Sequence, residues 1–185
     1  VQDFLNSLPF NFEKNGETLK SPVRGLREGN AHCMEGALLG AYILSRLPSR
    51  GLKPYILCLK ATNEDYDHVV APFRQNGLWG ALSKTNHSVL RYREPVYRDI
   101  RELVMSYFHE YFLDNGKKTL RQYSELFDLN TLNKNWFLAE EDLWYIDKKL
   151  DKIKHYDIIP KKTIKKLRKA DKIEIKSGKI TEYKK

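Results

Sequence analysis

Asn30-Ala31-His32-Cys33-Met34-Glu35-Gly36-Ala37-Leu38-Leu39-Gly40-Ala41-Tyr42-Ile43-Leu44 opens on a thiol and then runs apolar on almost every side. A helix that is apolar all round belongs inside a domain. Residues 33–47 therefore predict a central, buried helix, ended by Pro48 and Gly51. Gly36 and Gly40 stand four apart, where the missing side chains let another backbone come close. Cys33 at the helix start feels the positive end of the helix dipole, which favours a thiolate.

Downstream, Pro54-Tyr55-Ile56-Leu57-Cys58-Leu59-Lys60-Ala61 reads as a buried strand and Asn-Glu-Asp-Tyr-Asp as a turn. His68 to Arg74 reads as a second strand, with Pro72 marking an edge or a bulge. Asn76-Gly77 is a strong hairpin turn, and Leu78 to Ser83 is the returning strand. Register then decides what His68 meets. With a two-residue loop, paired numbers sum to 153, His68 faces Thr85 and Ser83 lies diagonal to it. With a three-residue loop the sum is 152, His68 faces Lys84 and Asn86 is diagonal. Both Ser83 and Asn86 stay in play.

Upstream, residues 2–8 read as a short helix closed by Pro9, and Ser21-Pro22 as the cap and first turn of another. After the hairpin, Pro95 predicts the opening of a long helix, with Val96, Ile100, Leu103, Val104, Tyr107, Phe108, Tyr111 and Phe112 as its core stripe and Asn115-Gly116 as its end. Tyr123 to Leu129 reads as a loop. Residues 136–153 read as a helix, 161–169 as a shorter basic one, and residues 173–184 as a closing hairpin turning at Ser177-Gly178. The order gives an α+β fold: a central Cys-bearing helix packed on a small antiparallel sheet, with additional C-terminal helices. Residues 1–130 form the main domain and 131–185 a basic helical extension packed on it or trailing from it.

The 185 residues carry a net charge of +9, but the charge is local. Residues 1–146 hold 18 basic and 18 acidic side chains, while 147–185 hold 15 basic and 6 acidic. A Lys-rich tail with one Arg and few aromatics suits a solvated face better than nucleic-acid recognition. No apolar run reaches membrane-spanning length, and the first residues lack a secretory pattern. The chain opens on Val, as after processing or trimming. Two cysteines make no disulfide framework and fit a reducing cytoplasm.

Cys33 and His68 are the residues with chemistry to offer. A histidine beside a thiol takes its proton, which is the minimum equipment of a cysteine nucleophile. Cys58 lies within a strand, without a helix dipole, and reads as core. Asp67 adjoins His68 but faces the opposite side of a strand. His32 adjoins Cys33 and is placed to perturb the thiol, although neighbours at a helix start tend to point apart. His87, His109 and His155 are scattered and show no zinc spacing. Arg91, Arg93, Arg98 and Arg101 read as surface charges paired with Glu94 and Asp99, or as readers of an acidic substrate.

AHCMEGALLGAYIL, GLKPYILCL, DHVVAPF and NGLWGALSK together resemble the transglutaminase-like superfamily within the papain-like group, over roughly residues 20–90. The stretch from Trp79 to Phe112 is similar to a bacterial subgroup of such proteins. The resemblance implies Cys33 as nucleophile, His68 as general base and an acid four residues after Trp79. That position holds Ser83. The third member is then Ser83, Asn86 or nothing. Asn30, one turn upstream of the cysteine, and Trp79 are candidate oxyanion or substrate contacts.

The resulting expectation is a cytoplasmic cysteine-dependent acyl-transfer enzyme, a hydrolase or transglutaminase-like catalyst acting on a protein, peptide or other amide, with no cofactor or metal. The alternatives are an inactive binding module on the same fold and a polyanion-binding tail.

Overall fold

The computed structural model describes residues 1–47 and 51–184; Pro48, expected to help end the central helix, lies outside them. The chain opens with α1 (Gln2–Ser7) and α2 (Pro22–Glu28). The Ser21 hydroxyl caps α2 by accepting from the Arg24 amide, Pro22 occupies its first turn, and Gly29 closes it at φ +69°. The central helix is α3 (Cys33–Ser45), buried continuously from Met34 to Ala41.

Among the described residues seven strands follow, β1 (Tyr55–Lys60), β2 (His68–Gln75), β3 (Leu78–Leu82), β4 (Arg93–Tyr97), β5 (Gln122–Ser124), β6 (Phe127–Asp128) and β7 (His155–Asp157). The sheet order is β4-β3-β2-β1-β5-β7, with β6 also paired to β1, and all pairs are antiparallel. Alternation divides the core in two. Ile56, Cys58, Val69, Ala71 and Phe73 pack with α3, whereas Leu57, Leu59 and Val70 pack with Leu103, Val104, Tyr107 and Phe108 on the other face. Gln75 pairs with Leu78 and Ala71 with Leu82, the register of the two-residue Asn76-Gly77 loop. Pro72 sits at a position whose nitrogen points away from β3, beyond the last registered β1 pair at Leu57–Val70, so no ladder bond is lost.

Gly36 and Gly40 do what their spacing suggested. A methyl group on Gly36 would lie 2.3 Å from Cβ of Lys84, and one on Gly40 3.0 Å from a Leu82 methyl. The end of β3 therefore rests directly on the first turns of α3.

The long helix expected from Pro95 does not form. Residues 93–97 are edge strand β4, where a proline without an N–H is tolerated. A helix, α4 (Ile100–Met105), starts only behind Asp99, whose side chain accepts from the Glu102 amide. The stripe Leu103 to Tyr111 is core as expected, but it continues through a 3-10 turn at Phe108–Glu110 into extended chain. Residues 136–153 also divide, into a 3-10 turn at Trp136–Leu138 and α5 (Trp144–Lys152). Their Trp136, Leu143, Ile146 and Leu150 join the α3-side core. The basic helix shrinks to α6 (Lys161–Ile164), and the expected closing hairpin is instead α7 (Lys172–Gly178). Asp171 and Glu174 form a capping box there, and that local signal outweighs the β-branched alternation around it. The expected loop at 123–129 contributes β5 and β6.

Candidate active site

Cys33 is the first residue of α3, and its thiol is half-buried at the wall of a cavity of about 650 Å³. The His32 side chain caps the helix by accepting from the Met34 amide at 3.3 Å. The Glu35 carboxylate answers by taking the His32 amide at 3.0 Å. That reciprocal cap uses the His32 and Met34 amides and leaves the Cys33 amide among the first-turn donors that have no partner within the helix. Glu35 is itself buried, and Asn11, Thr18 and the Lys20 amide also donate to it.

His68 opens β2, is buried, and lines the same cavity. One of its ring nitrogens, Nε2, lies 2.8 Å from Ser83 Oγ. The Ser83 hydroxyl lies 2.6 Å from the Leu90 carbonyl, which can only accept. The single hydroxyl proton is therefore spent on Leu90, so Ser83 accepts from His68 Nε2–H. That fixes the neutral tautomer and leaves Nδ1 as the basic nitrogen. Ser83 is held in turn by Gln2, whose side chain donates to its carbonyl at 2.8 Å and accepts from its amide at 3.0 Å.

The thiol responds to this setting. Burial works to raise its pKa, but hydrogen bonds with His32 and His68 and the charges of the two rings outweigh it and bring Cys33 down to about 5. For His32, burial favours the neutral ring. Its hydrogen bond with Cys33, the Cys33 and Glu35 charges and the Thr18 carbonyl prevail and raise it to about 9. Cys58 shows the opposite balance: burial first, then the nearby Asp67 carboxylate, pushes its thiol up.

Other expected contacts fall elsewhere. Asn86 lines the cavity, but its amide is committed to Tyr183, donating to that residue's carbonyl at 2.9 Å and accepting from its amide at 2.8 Å. Asn30 is turned to Lys20 and to the Glu28 carbonyl and does not line the cavity. One turn upstream in sequence is not one turn upstream in space, because Gly29 ends α2 and reverses the chain just before it. Trp79 packs against Tyr55 and beneath the Arg74 guanidinium, also away from the cavity, since alternation sends it outward from β3. The four arginines are engaged: Arg93 with Glu110, Arg98 with Glu102, Arg91 with Glu182, and Arg101 with the Ile158 carbonyl.

Two features depart from the sequence reading. His32, adjacent to the thiol it was placed to perturb, does not point away from it as neighbours at a helix start tend to, because it is the cap. The C-terminal segment reaches the site: Ile175 and Gly178 of α7 line the cavity, Ser88 N–H donates to the Ile180 carbonyl, and Glu182 N–H to the Asn86 carbonyl. Half of the tail signal was present in the Asp171/Glu174 box, but nothing local could say where α7 docks. Among the described residues, no group of His, Cys, Asp and Glu is arranged to hold a metal ion, and no helix is long and apolar enough to cross a membrane.

A central helix bearing a thiol at its N-terminus, packed on an antiparallel sheet that offers an imidazole, defines a thiol–imidazole protein of α+β class. The family model described as Vasohibin matches residues 27–122, just over half of the chain, and the chain belongs to that family. Among curated proteins it is similar to Tubulinyl-Tyr carboxypeptidase 1 of Mus musculus, 28% identical over 75 residues. That match covers 40% of this chain and 20% of the mouse protein, so the chain spans about a fifth of that relative's length.

Proposed function

We propose that this chain is a cysteine peptidase that removes residues from the carboxyl end of a peptide or protein. The observation that carries the reading is the line of contacts from Cys33 to His68, Ser83 and the Leu90 carbonyl. Membership of the vasohibin family supports a cysteine-dependent peptidase, and the printed name of the mouse relative supports a carboxypeptidase.

In this reading His68 Nδ1 takes the thiol proton, and the Cys33 thiolate attacks the carbonyl carbon of the scissile amide. The oxyanion is met by the Cys33 amide at the positive end of α3. His68 then returns its proton to the leaving amine, the C–N bond breaks, and a thioester remains on Cys33. Water adds to the thioester while His68 accepts its proton. Collapse expels the thiolate and frees the shortened chain as a carboxylic acid. Ser83 keeps the imidazole in the tautomer this cycle needs, and the Leu90 carbonyl orients Ser83.

The test is release of the last residue from synthetic peptides, followed by mass spectrometry. A set ending in Tyr, Phe, Leu, Lys and Glu, each as free acid and as amide, reports the terminal preference. Release from free acids, lost in Cys33→Ala, is expected. Release that survives Cys33→Ala, or no release from any peptide, would overturn the reading and favour a binding module on the same scaffold.

A further inference from the structure

His32 has more around it than a cap requires. One ring nitrogen, Nε2, lies 2.9 Å from the Thr18 carbonyl, an acceptor only, so it carries a proton. The same nitrogen has the Glu35 carboxylate at 3.6 Å and the Glu13 carboxylate at 3.8 Å. The Glu35 side chain is almost entirely buried, where its charge is poorly screened. With Nε2 committed to the Thr18 carbonyl, Nδ1 is the nitrogen left for two groups that ask for opposite things. The Met34 amide needs an acceptor there, at the long distance of 3.3 Å. The Cys33 thiolate needs a donor, and His32 hydrogen-bonds with it.

We propose that His32 is a second imidazole of the site, charged through neutral pH, and that it sustains the Cys33 thiolate independently of His68. Glu13 and Glu35 hold the proton on one side of the ring, and the thiolate faces the other. The long bond to the Met34 amide is what the charged ring gives up. Lys20, 3.8 Å from Glu35, is the nearby cation opposing this arrangement, but it is shared with Glu28 and with Asn30. His32 takes its proton from solvent. The proton lost by the thiol goes to His68, so the hydrolytic cycle still balances. The roles divide: His32 supplies standing charge, and His68 moves the proton. The rise of His32 to about 9 accords with a ring that stays charged through neutral pH.

This inference deepens the peptidase reading, but its test needs no substrate. The rate of Cys33 alkylation by iodoacetamide is measured against pH, by mass spectrometry, in the wild type, His68→Ala, His32→Asn and the double variant. Asparagine keeps a capping oxygen at the helix start. Continued protection of buried Cys58 reports that each variant is folded, and His32→Gln replaces the asparagine variant should it fail that check. The His68→Ala midpoint is expected to stay low, within about one unit of the wild type, although turnover is lost. In His32→Asn the midpoint should rise by about two units, and in the double variant it should reach that of an ordinary thiol. A wild-type midpoint unmoved by His32→Asn, or raised fully by His68→Ala alone, would overturn the proposal. A protein that labels as proposed but cleaves no peptide sinks the peptidase reading alone. One that cleaves peptides while His32→Asn labels like wild type sinks the second imidazole alone.

Discussion

Cys33 and Cys58 are the two thiols of one chain, and both pack with the α3-side core. Cys33 begins a helix, faces two imidazoles, and is drawn down to about 5. Cys58 is central in β1, its neighbour across 4.0 Å is the Asp67 carboxylate, and its thiol is pushed up. Burial acts in the same direction on both. The difference is what burial leaves within reach: two imidazole rings and a helix N-terminus in one case, an anion and strand backbone in the other. Chemistry in this protein is assigned by the ends of elements, and packing by their middles.

The strongest way to break the contrast is to delete each sulfur. Cys33→Ala should abolish peptide cleavage, a loss on the order of 10³-fold or more, while Cys58→Ala should leave the rate essentially unchanged. Steady-state kinetics on the peptide that performs best decide this. A Cys58 variant with comparable loss would end the comparison.

Selective labelling sharpens it. Because Cys33 has a depressed pKa, its thiolate persists as pH falls and is lost only on passing through about 5. At pH 6 iodoacetamide should therefore modify Cys33 on the order of 10²-fold faster than Cys58, and the gap should narrow once denaturant exposes both. Peptide mapping after a short pulse reads the ratio.

A smaller effect is expected at Ser83. Replacing it with alanine removes the acceptor that fixes the His68 tautomer but leaves the thiol and both rings. The value of kcat/KM should fall by roughly 10–100-fold, less than the ~10⁴-fold seen when a triad loses its charged member. The Cys33 labelling midpoint should hardly move, because Ser83 orients the base without carrying charge. A fall as large as that of Cys33→Ala would contradict that division.

The smallest effect belongs to Cys58 as packing. Cys58→Ala trims a buried sulfur and should cost about 1 kcal/mol, some 2–4 °C in Tm for a chain of this size, with no change in how Cys33 titrates. Differential scanning calorimetry measures the first and labelling the second.

Much of this contrast is legible in the sequence itself. The run from Met34 to Leu44, apolar apart from Glu35 and longer than most strands, reads as a buried helix, and Cys33 at its start follows from that. Asn76-Gly77 reduces the β2–β3 register to two choices, and the two-residue loop that forms carries Ser83 to His68 and leaves Asn86 past the end of the pair. The α+β class followed from element order. What failed were decisions that local pattern leaves undetermined. Residues 95–97 fit a helix start by composition, but the exposed edge of β3 recruited them as a strand. The orientation of His32 depended on Glu35 closing a cap with it, and a capping histidine is outside the usual Ser, Thr, Asp and Asn set. The docking of residues 180–183 on 86–88 is a contact between segments some 90 positions apart, made by backbone groups and the Asn86 amide, none of which marks its partner in the sequence.

Gly36 sets a spacing that no side chain in the site controls. The nucleophile is fixed to α3 and the group orienting its base is fixed to the end of β3, and the two bodies meet where Gly36 lies against Lys84. The clearance between thiol and imidazole is thus calibrated by an absent methyl group, one helical turn below the chemistry. A single carbon added there would act as a shim, prising apart two reactive groups that it never touches.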